Sequence, residues 1–173
     1  MIHALQVLLV LVFPALVITA ALRDVTSYTI PNWISLSLIA AFPVAALAQG
    51  VPFATLGLCF AIGAAGLVAG MAMFAVRWIG GGDAKLFAAA ALWLGWPAIV
   101  TYAAITGLAG GALAMALLAL RSPLIRPYIL NGPAWFVRLA EPGESVPYGV
   151  AICVGALVAF PTSTLMQGLG HLI

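Results

Sequence analysis

RWIGGGDAKLFAAA, residues 77–90, interrupts a long apolar stretch and then resumes it. Three consecutive glycines, Gly80, Gly81 and Gly82, precede Asp83, one of only two aspartates in the chain. Read as a turn, the segment divides the sequence around it into separate membrane-spanning helices and puts an ionisable side chain at the start of the second. The composition supports that reading: of 173 residues, 65% are hydrophobic and 6% charged, more apolar surface than a water-soluble domain of this length can bury. Charge-free runs cover residues 1–22, 25–76, 86–120 and 145–173, room for six crossings at about 20 residues per spanning helix. The expected fold class is an all-α integral membrane protein, a polytopic bundle of about six transmembrane helices in a single domain over residues 1–173.

Working outward, the third helix is expected at Phe53 to Val76 and a short fourth at Ala84 to about Trp96. The first helix is read as Ile2 to Leu22, closed by Arg23 and Asp24, with TSYTIPNW as a short polar turn. Its start, MIHALQ, has no Lys or Arg, and its apolar run exceeds that of a secretory signal. Pro31 suits the start of the second helix, where its missing N–H costs nothing; that helix runs to Gln49, with Pro43 as an expected kink. GVP, residues 50–52, turns the chain. Pro97 opens a fifth helix ending near Leu120, and the sixth follows Pro147. Residues 121–146 hold five of the ten charged residues and form the one sizeable aqueous loop. Within it AWFVRLA, residues 134–140, suits the membrane surface, with partner binding as the alternative.

Basic residues mark the cytoplasmic side of short loops. Arg23, Arg77, Lys85, Arg121, Arg126 and Arg138 all fall at one side of this topology, so both termini are expected to face outward, and Asp24 and Asp83 the cytoplasm. Gly66 with Gly70 and Gly107 with Gly111 have GxxxG spacing; packing inside the bundle is the expected use, a homodimer face the alternative. The net charge of +2 is small and scattered, which argues against a nucleic-acid partner. Cys59 and Cys153 lie in apolar runs with no CxxC pair and read as small core residues. His3 and His171 are far apart from any acidic partner, so neither a Ser-His-Asp set nor a metal site is indicated.

The expected fourth helix, at about 1.5 Å per residue, is about 20 Å long against a hydrocarbon core of about 30 Å. With Trp93 and Trp96 anchoring its far end, Asp83 is expected below the cytoplasmic surface, where a charge costs up to about 3 kcal/mol. A bland explanation exists: aspartate is a good N-cap and the glycines a flexible turn. Asp24 at the same membrane face changes the balance. Two neighbouring carboxylates can hydrolyse an amide, one as base on water and one as acid on the carbonyl oxygen. Helix dipoles suggest Asp83 as the resting base and Asp24 as the resting acid, with Arg23 opposing the second assignment. Glu141 and Glu144, in a Pro/Gly-containing loop, read as solvated. The competing function is a small proton- or cation-coupled carrier using the same two aspartates.

DVTSYTIPNW, residues 24–33, and GGGDAKLFAAAALWLG, residues 80–95, resemble the two signatures of the type IV prepilin peptidases, membrane aspartyl proteases of the GxGD group. VPYG, residues 146–149, is similar to the element opening that family's last helix. The resemblance implies removal of a short basic leader from prepilins at the cytoplasmic face of the bacterial inner membrane, with Asp24 and Asp83 as the catalytic pair. Ile30, Pro31, Asn32, Gly80, Gly81, Gly82, Lys85, Pro147, Tyr148 and Gly149 would be supporting or substrate-binding residues. No metal or other cofactor is implied; the partners are a prepilin, membrane lipid and the pilus assembly or secretion machinery. Larger members carry an N-terminal segment with cysteine pairs and also methylate the new N-terminus. This chain begins with its first helix and resembles the short branch serving Flp-type, tight-adherence pili, so no methyltransferase activity or S-adenosylmethionine dependence is expected.

Overall fold

The computed structural model describes residues 2–170, and the side chains of residues 4–167; the side chain of His3 and the whole of His171 lie outside the described residues. Every regular element among the described residues is helical: α1 (Ile2–Ser27), α2 (Asn32–Ala48), α3 (Phe53–Ala75), α4 (Gly81–Leu94), α5 (Ala98–Leu120), the short α6 (Arg126–Ile129) and α7 (Ala134–Leu139), α8 (Tyr148–Ala159) and α9 (Thr164–Gly170), with a 3-10 turn at Phe160–Thr162 between the last two. Segments within α1, α3 and α5, together with Tyr148–Gln167, are long and apolar enough to cross a membrane, and α2 is a shorter apolar helix. With α4 this is a polytopic helical membrane protein. Because consecutive long helices alternate in direction, the ends of α1, α3 and α5 and the starts of α2, α4 and α8 share one end of the bundle. All six Lys and Arg residues sit at that end.

Three boundaries differ from the sequence reading. The first helix does not stop at Leu22 but continues through Ser27, so Asp24 is held in a helical turn instead of a loop. The fourth begins at Gly81, not Ala84; two of the three glycines are its first turn rather than a flexible link, and Asp83 is its third residue rather than its cap. Pro43 lies inside α2, where the sequence reading puts it. The sixth helix is broken at Phe160–Thr162, where Pro161 removes an amide from the ladder.

The organising element is α4. It packs closely along α3 and also meets α2, α8, α1 and α5, which buries almost every residue from Asp83 to Leu94. Its alanines let this happen: Ala88 to Ala91 keep the helix slim enough for neighbours on all sides. Trp93 is 0% exposed and donates from Nε1 to the Leu38 carbonyl at 2.8 Å, stacking on Phe13 with ring centroids 5.4 Å apart. It is therefore a core residue, not the interfacial anchor expected from its type; Trp96, 61% exposed, is the tryptophan at the bundle surface. A helix wrapped by protein need not match the lipid thickness, which explains how α4 can be so short.

The small-residue pairs divide in two. Gly66 and Gly70 are buried against α4, and a Cβ on Gly70 would lie 3.0 Å from Ala84 Cα and 3.1 Å from its carbonyl oxygen. Gly107 and Gly111 have nothing within 4 Å of such a Cβ, so the expected packing of that pair inside the bundle is not found. The contrast gives a stability prediction. Gly70→Ala should destabilise the detergent-solubilised protein by about 1–3 kcal/mol through overpacking, whereas Gly107→Ala should be neutral or stabilising by up to about 1 kcal/mol. Thermal unfolding of the two variants reads both; equal midpoints would refute the α3–α4 contact. Cys59 and Cys153 are buried and unlinked, in keeping with the core role expected of them.

Candidate active site

Asp24 is carried by the last turn of α1 and Asp83 by the first turn of α4. Both are almost fully buried, 5% and 7% exposed respectively, a rare environment for carboxylates without a salt-bridge partner. Asp83 Oδ2 reaches back to accept a hydrogen bond from the Gly80 amide at 2.9 Å. This is the side-chain half of a capping box, in which a residue in the third helical position satisfies the amide preceding the helix. Asp83 Oδ1 is buried and has no hydrogen-bond partner. Unpaired buried oxygens are uncommon and mark either strain or a functional site.

The two acids meet at the start of α8. Asp24 Oδ2 accepts from the Gly149 amide at 2.7 Å, across 125 residues of sequence. Asp83 lies close enough to interact with that same amide and with the Asp24 charge. The N-terminal end of α8 faces Asp24, and α4's own N-terminus faces Asp83, so the helix-dipole argument that separated a resting base from a resting acid does not distinguish them here. Residue 149 must be glycine for this approach: a Cβ there would fall 2.8 Å from Asp24 Oδ2, 2.9 Å from Asp24 Cβ and 3.0 Å from Ile30 Cδ1.

The sequence-predicted neighbours fall into two groups. Ile30 sits between the acids' supporting backbones, since a Cβ on Gly82 would lie 3.1 Å from Ile30 Cβ and 3.3 Å from its carbonyl oxygen. Pro31 caps the start of α2 in an extended conformation, directing Asn32 toward α4, where Lys85 Nζ donates to Asn32 Oδ1 at 2.9 Å. Pro147 is fully buried and precedes Gly149 by two positions, fixing the entrance to α8. Two residues point elsewhere. Gly81 lies against the Phe74 ring of α3, and Tyr148 packs its ring on Gly110 of α5, so Tyr148 holds α8 against α5 instead of lining the carboxylates.

Lys85→Met or Asn32→Leu should each lower activity about tenfold, the equivalent of one charge-assisted hydrogen bond. The pair together should lose little more, because one contact is removed either way; fully multiplicative losses would show that the two residues act separately.

One residue at the site escapes sequence reading. Tyr28 follows α1 with φ +53°, a left-handed conformation that costs a bulky residue about 1–2 kcal/mol. Its amide donates to the Asp24 carbonyl at 2.9 Å, its hydroxyl is buried without a partner, and Arg138 of α7 stacks over its ring at 4.6 Å. Burial first, then the nearby Glu144, pushes the phenol pKa up, so it stays a hydrogen-bond donor. Arg138 is in turn held by Glu144 at 2.9 Å, which ties the loop after α5 to the end of α1. Glu144, expected to be merely solvated, thus has a partner.

Fold and site define a polytopic membrane protein in which three helix ends bring two buried carboxylates near each other. No curated protein and no solved structure matches the chain. A family match is clear, however: the type IV leader peptidase family aligns with residues 11–115, a segment that includes both aspartates, Ile30 to Asn32 and the glycine triplet. The chain belongs to that family of proteases.

Proposed function

We propose that the protein is an aspartic endopeptidase that removes the short basic leader from type IV prepilins of the Flp type, acting at the cytoplasmic face of the bacterial inner membrane. The observation that carries this reading is that Asp24, hydrogen-bonded to the Gly149 amide, and Asp83 are both buried and close enough to interact, with Asp83 Oδ1 left unpartnered. In the reaction one carboxylate takes a proton from water as the oxygen attacks the scissile carbonyl carbon. The other, protonated, donates to the carbonyl oxygen. Collapse of the tetrahedral intermediate breaks the C–N bond, and the departing amine takes up a proton from the acid that had gained one. Burial supports the chemistry by excluding bulk water from the charges that develop.

The basic end of the bundle supports cytoplasmic placement of this site by the positive-inside rule. Arg77→Cys and Arg126→Cys, in a background where Cys59 and Cys153 are replaced by Ala, should react with a membrane-impermeant thiol reagent in inverted vesicles and not in intact cells. The reverse pattern would overturn the orientation. The activity itself is tested by reconstituting the purified protein in lipid vesicles with a full-length Flp-type prepilin. Wild type should release a leader ending just before the apolar helix, with no labelled methyl group transferred to the product. An uncut prepilin under these conditions would contradict the assignment.

A further inference from the structure

Arg121 ends α5 as its C-cap, and its half-buried guanidinium makes two contacts that a mere marker of membrane orientation has no need of. Nε donates to the Leu139 carbonyl at 3.0 Å and Nη2 to the Ser145 carbonyl at 3.2 Å. Leu139 is the last residue of α7 and Ser145 lies outside any helix, so both carbonyls are of the kind that helix ends leave unpaired. One planar fork thus pinches together the two ends of the loop between α7 and α8, whose turn is made at Gly143 with φ +92°.

The pinched loop leads directly to the site. Ser145 stands four residues before Gly149, whose amide donates to Asp24 Oδ2 at 2.7 Å. The chain between them has little freedom: Pro147 is fully buried, and the Tyr148 amide donates to the Val146 carbonyl at 2.8 Å. Fixing Ser145 therefore fixes the Gly149 amide, and through it the Asp24 carboxylate. The mount is firm, because α5 packs closely along α8. A second fastening joins the same loop to the turn that carries Asp24: Arg138, held by Glu144 at 2.9 Å, stacks over the Tyr28 ring, and the Tyr28 amide donates to the Asp24 carbonyl at 2.9 Å. That ion pair faces water, where such pairs contribute little. The two charge-assisted bonds from Arg121 are the stronger hold.

We infer that Arg121 is a positioning residue for the reaction: by clamping the neck of the loop before α8 it sets the Gly149 amide and, through that amide, Asp24. The inference rests on the peptidase reading. It assigns the role to the shape of the guanidinium and not to its charge alone. Lysine at this position keeps the positive charge that marks the cytoplasmic side, but a single ammonium on a flexible stem does not reproduce the fork.

The test uses Arg121→Lys in the full-length protein reconstituted in lipid vesicles. The change should lower kcat for prepilin cleavage about tenfold, with KM within about twofold of wild type, as expected when a reacting group is displaced by a fraction of an ångström. In a Gly149→Ala background, where the added Cβ already crowds Asp24 out of its contact, the same change should cost less than about twofold, because both act on one link. Hydrogen exchange of the amides between Ser145 and Val150 should be about tenfold faster in Arg121→Lys, a readout that needs no substrate. Arg126→Lys, in the same loop on α6, should change none of these. Wild-type kcat in Arg121→Lys, losses that multiply with those of Gly149→Ala, a rise in KM at unchanged kcat, or unchanged exchange would each overturn the positioning role while leaving the peptidase reading in place. So would a loss in Glu144→Gln as large as that in Arg121→Lys, since it would move the hold to the exposed pair. If wild type does not cut prepilin at all, the peptidase reading itself fails, and the role of Arg121 in the reaction falls with it.

Discussion

Asp83→Asn and Asp24→Asn should each lower kcat for prepilin cleavage by about a thousandfold or more, with KM changed far less. General acid–base groups contribute about 10²–10⁴ each, and an amide can neither accept the proton from water nor donate one to the carbonyl oxygen as a carboxyl group does. The isosteric change keeps the hydrogen-bond geometry within reach, because the side-chain oxygen of Asn can still accept from Gly80 at the Asp83 position and from Gly149 at the Asp24 position. Removing a buried charge without a salt-bridge partner should also leave the bundle as stable as before, or more so. The two effects together, near-total loss of turnover in a fold of undiminished thermal stability, separate a catalytic role from a structural one. A carrier with no peptidase activity would instead show no leader release by wild type.

Gly149→Ala should be nearly as damaging, lowering kcat about a hundredfold, although the residue has no side chain to take part in the reaction. The added methyl would have to occupy space 2.8 Å from Asp24 Oδ2 and 3.0 Å from Ile30 Cδ1, closer than contact distances permit. The cheapest relief is to swing the Asp24 carboxylate away and lose its 2.7 Å hydrogen bond from the Gly149 amide. Displacements of about 1 Å at a reacting group can cost about 10² in rate. By comparison, Gly111→Ala, in the same membrane but with open space around the position, should leave kcat unaltered. Retained activity in Gly149→Ala would show that the start of α8 does not position Asp24.

Much of this architecture is legible in the sequence because the punctuation is strong. Pro31, Pro97 and Pro147 each fall at the start of a helix, and the charge-free runs correspond to the helices between them. The catalytic candidates were visible for the same reason: two aspartates in an apolar chain have few other uses. What the sequence hides is which apolar surface faces protein and which faces lipid, since both environments select the same side chains. Trp93 and Trp96 differ only in that respect, and so do Gly70 and Gly107. The extension of α1 past Leu22 and the early start of α4 escape because polar residues in a terminal turn read as loop until a tertiary contact, here from Gly149 or Ile30, rewards the helical form. Tyr28 escapes for another reason: a left-handed backbone angle leaves no mark on a residue type that rarely adopts it.

The decisive measurement is a double-mutant cycle on prepilin cleavage in lipid vesicles, comparing Asp24→Asn, Asp83→Asn and the double variant with wild type. Two carboxylates that act as one unit lose that unit when either is changed, so the double variant should be no slower than the slower single, within a few-fold. If the losses multiply instead, or if either single variant cuts at the wild-type rate, the two acids do not share one reaction.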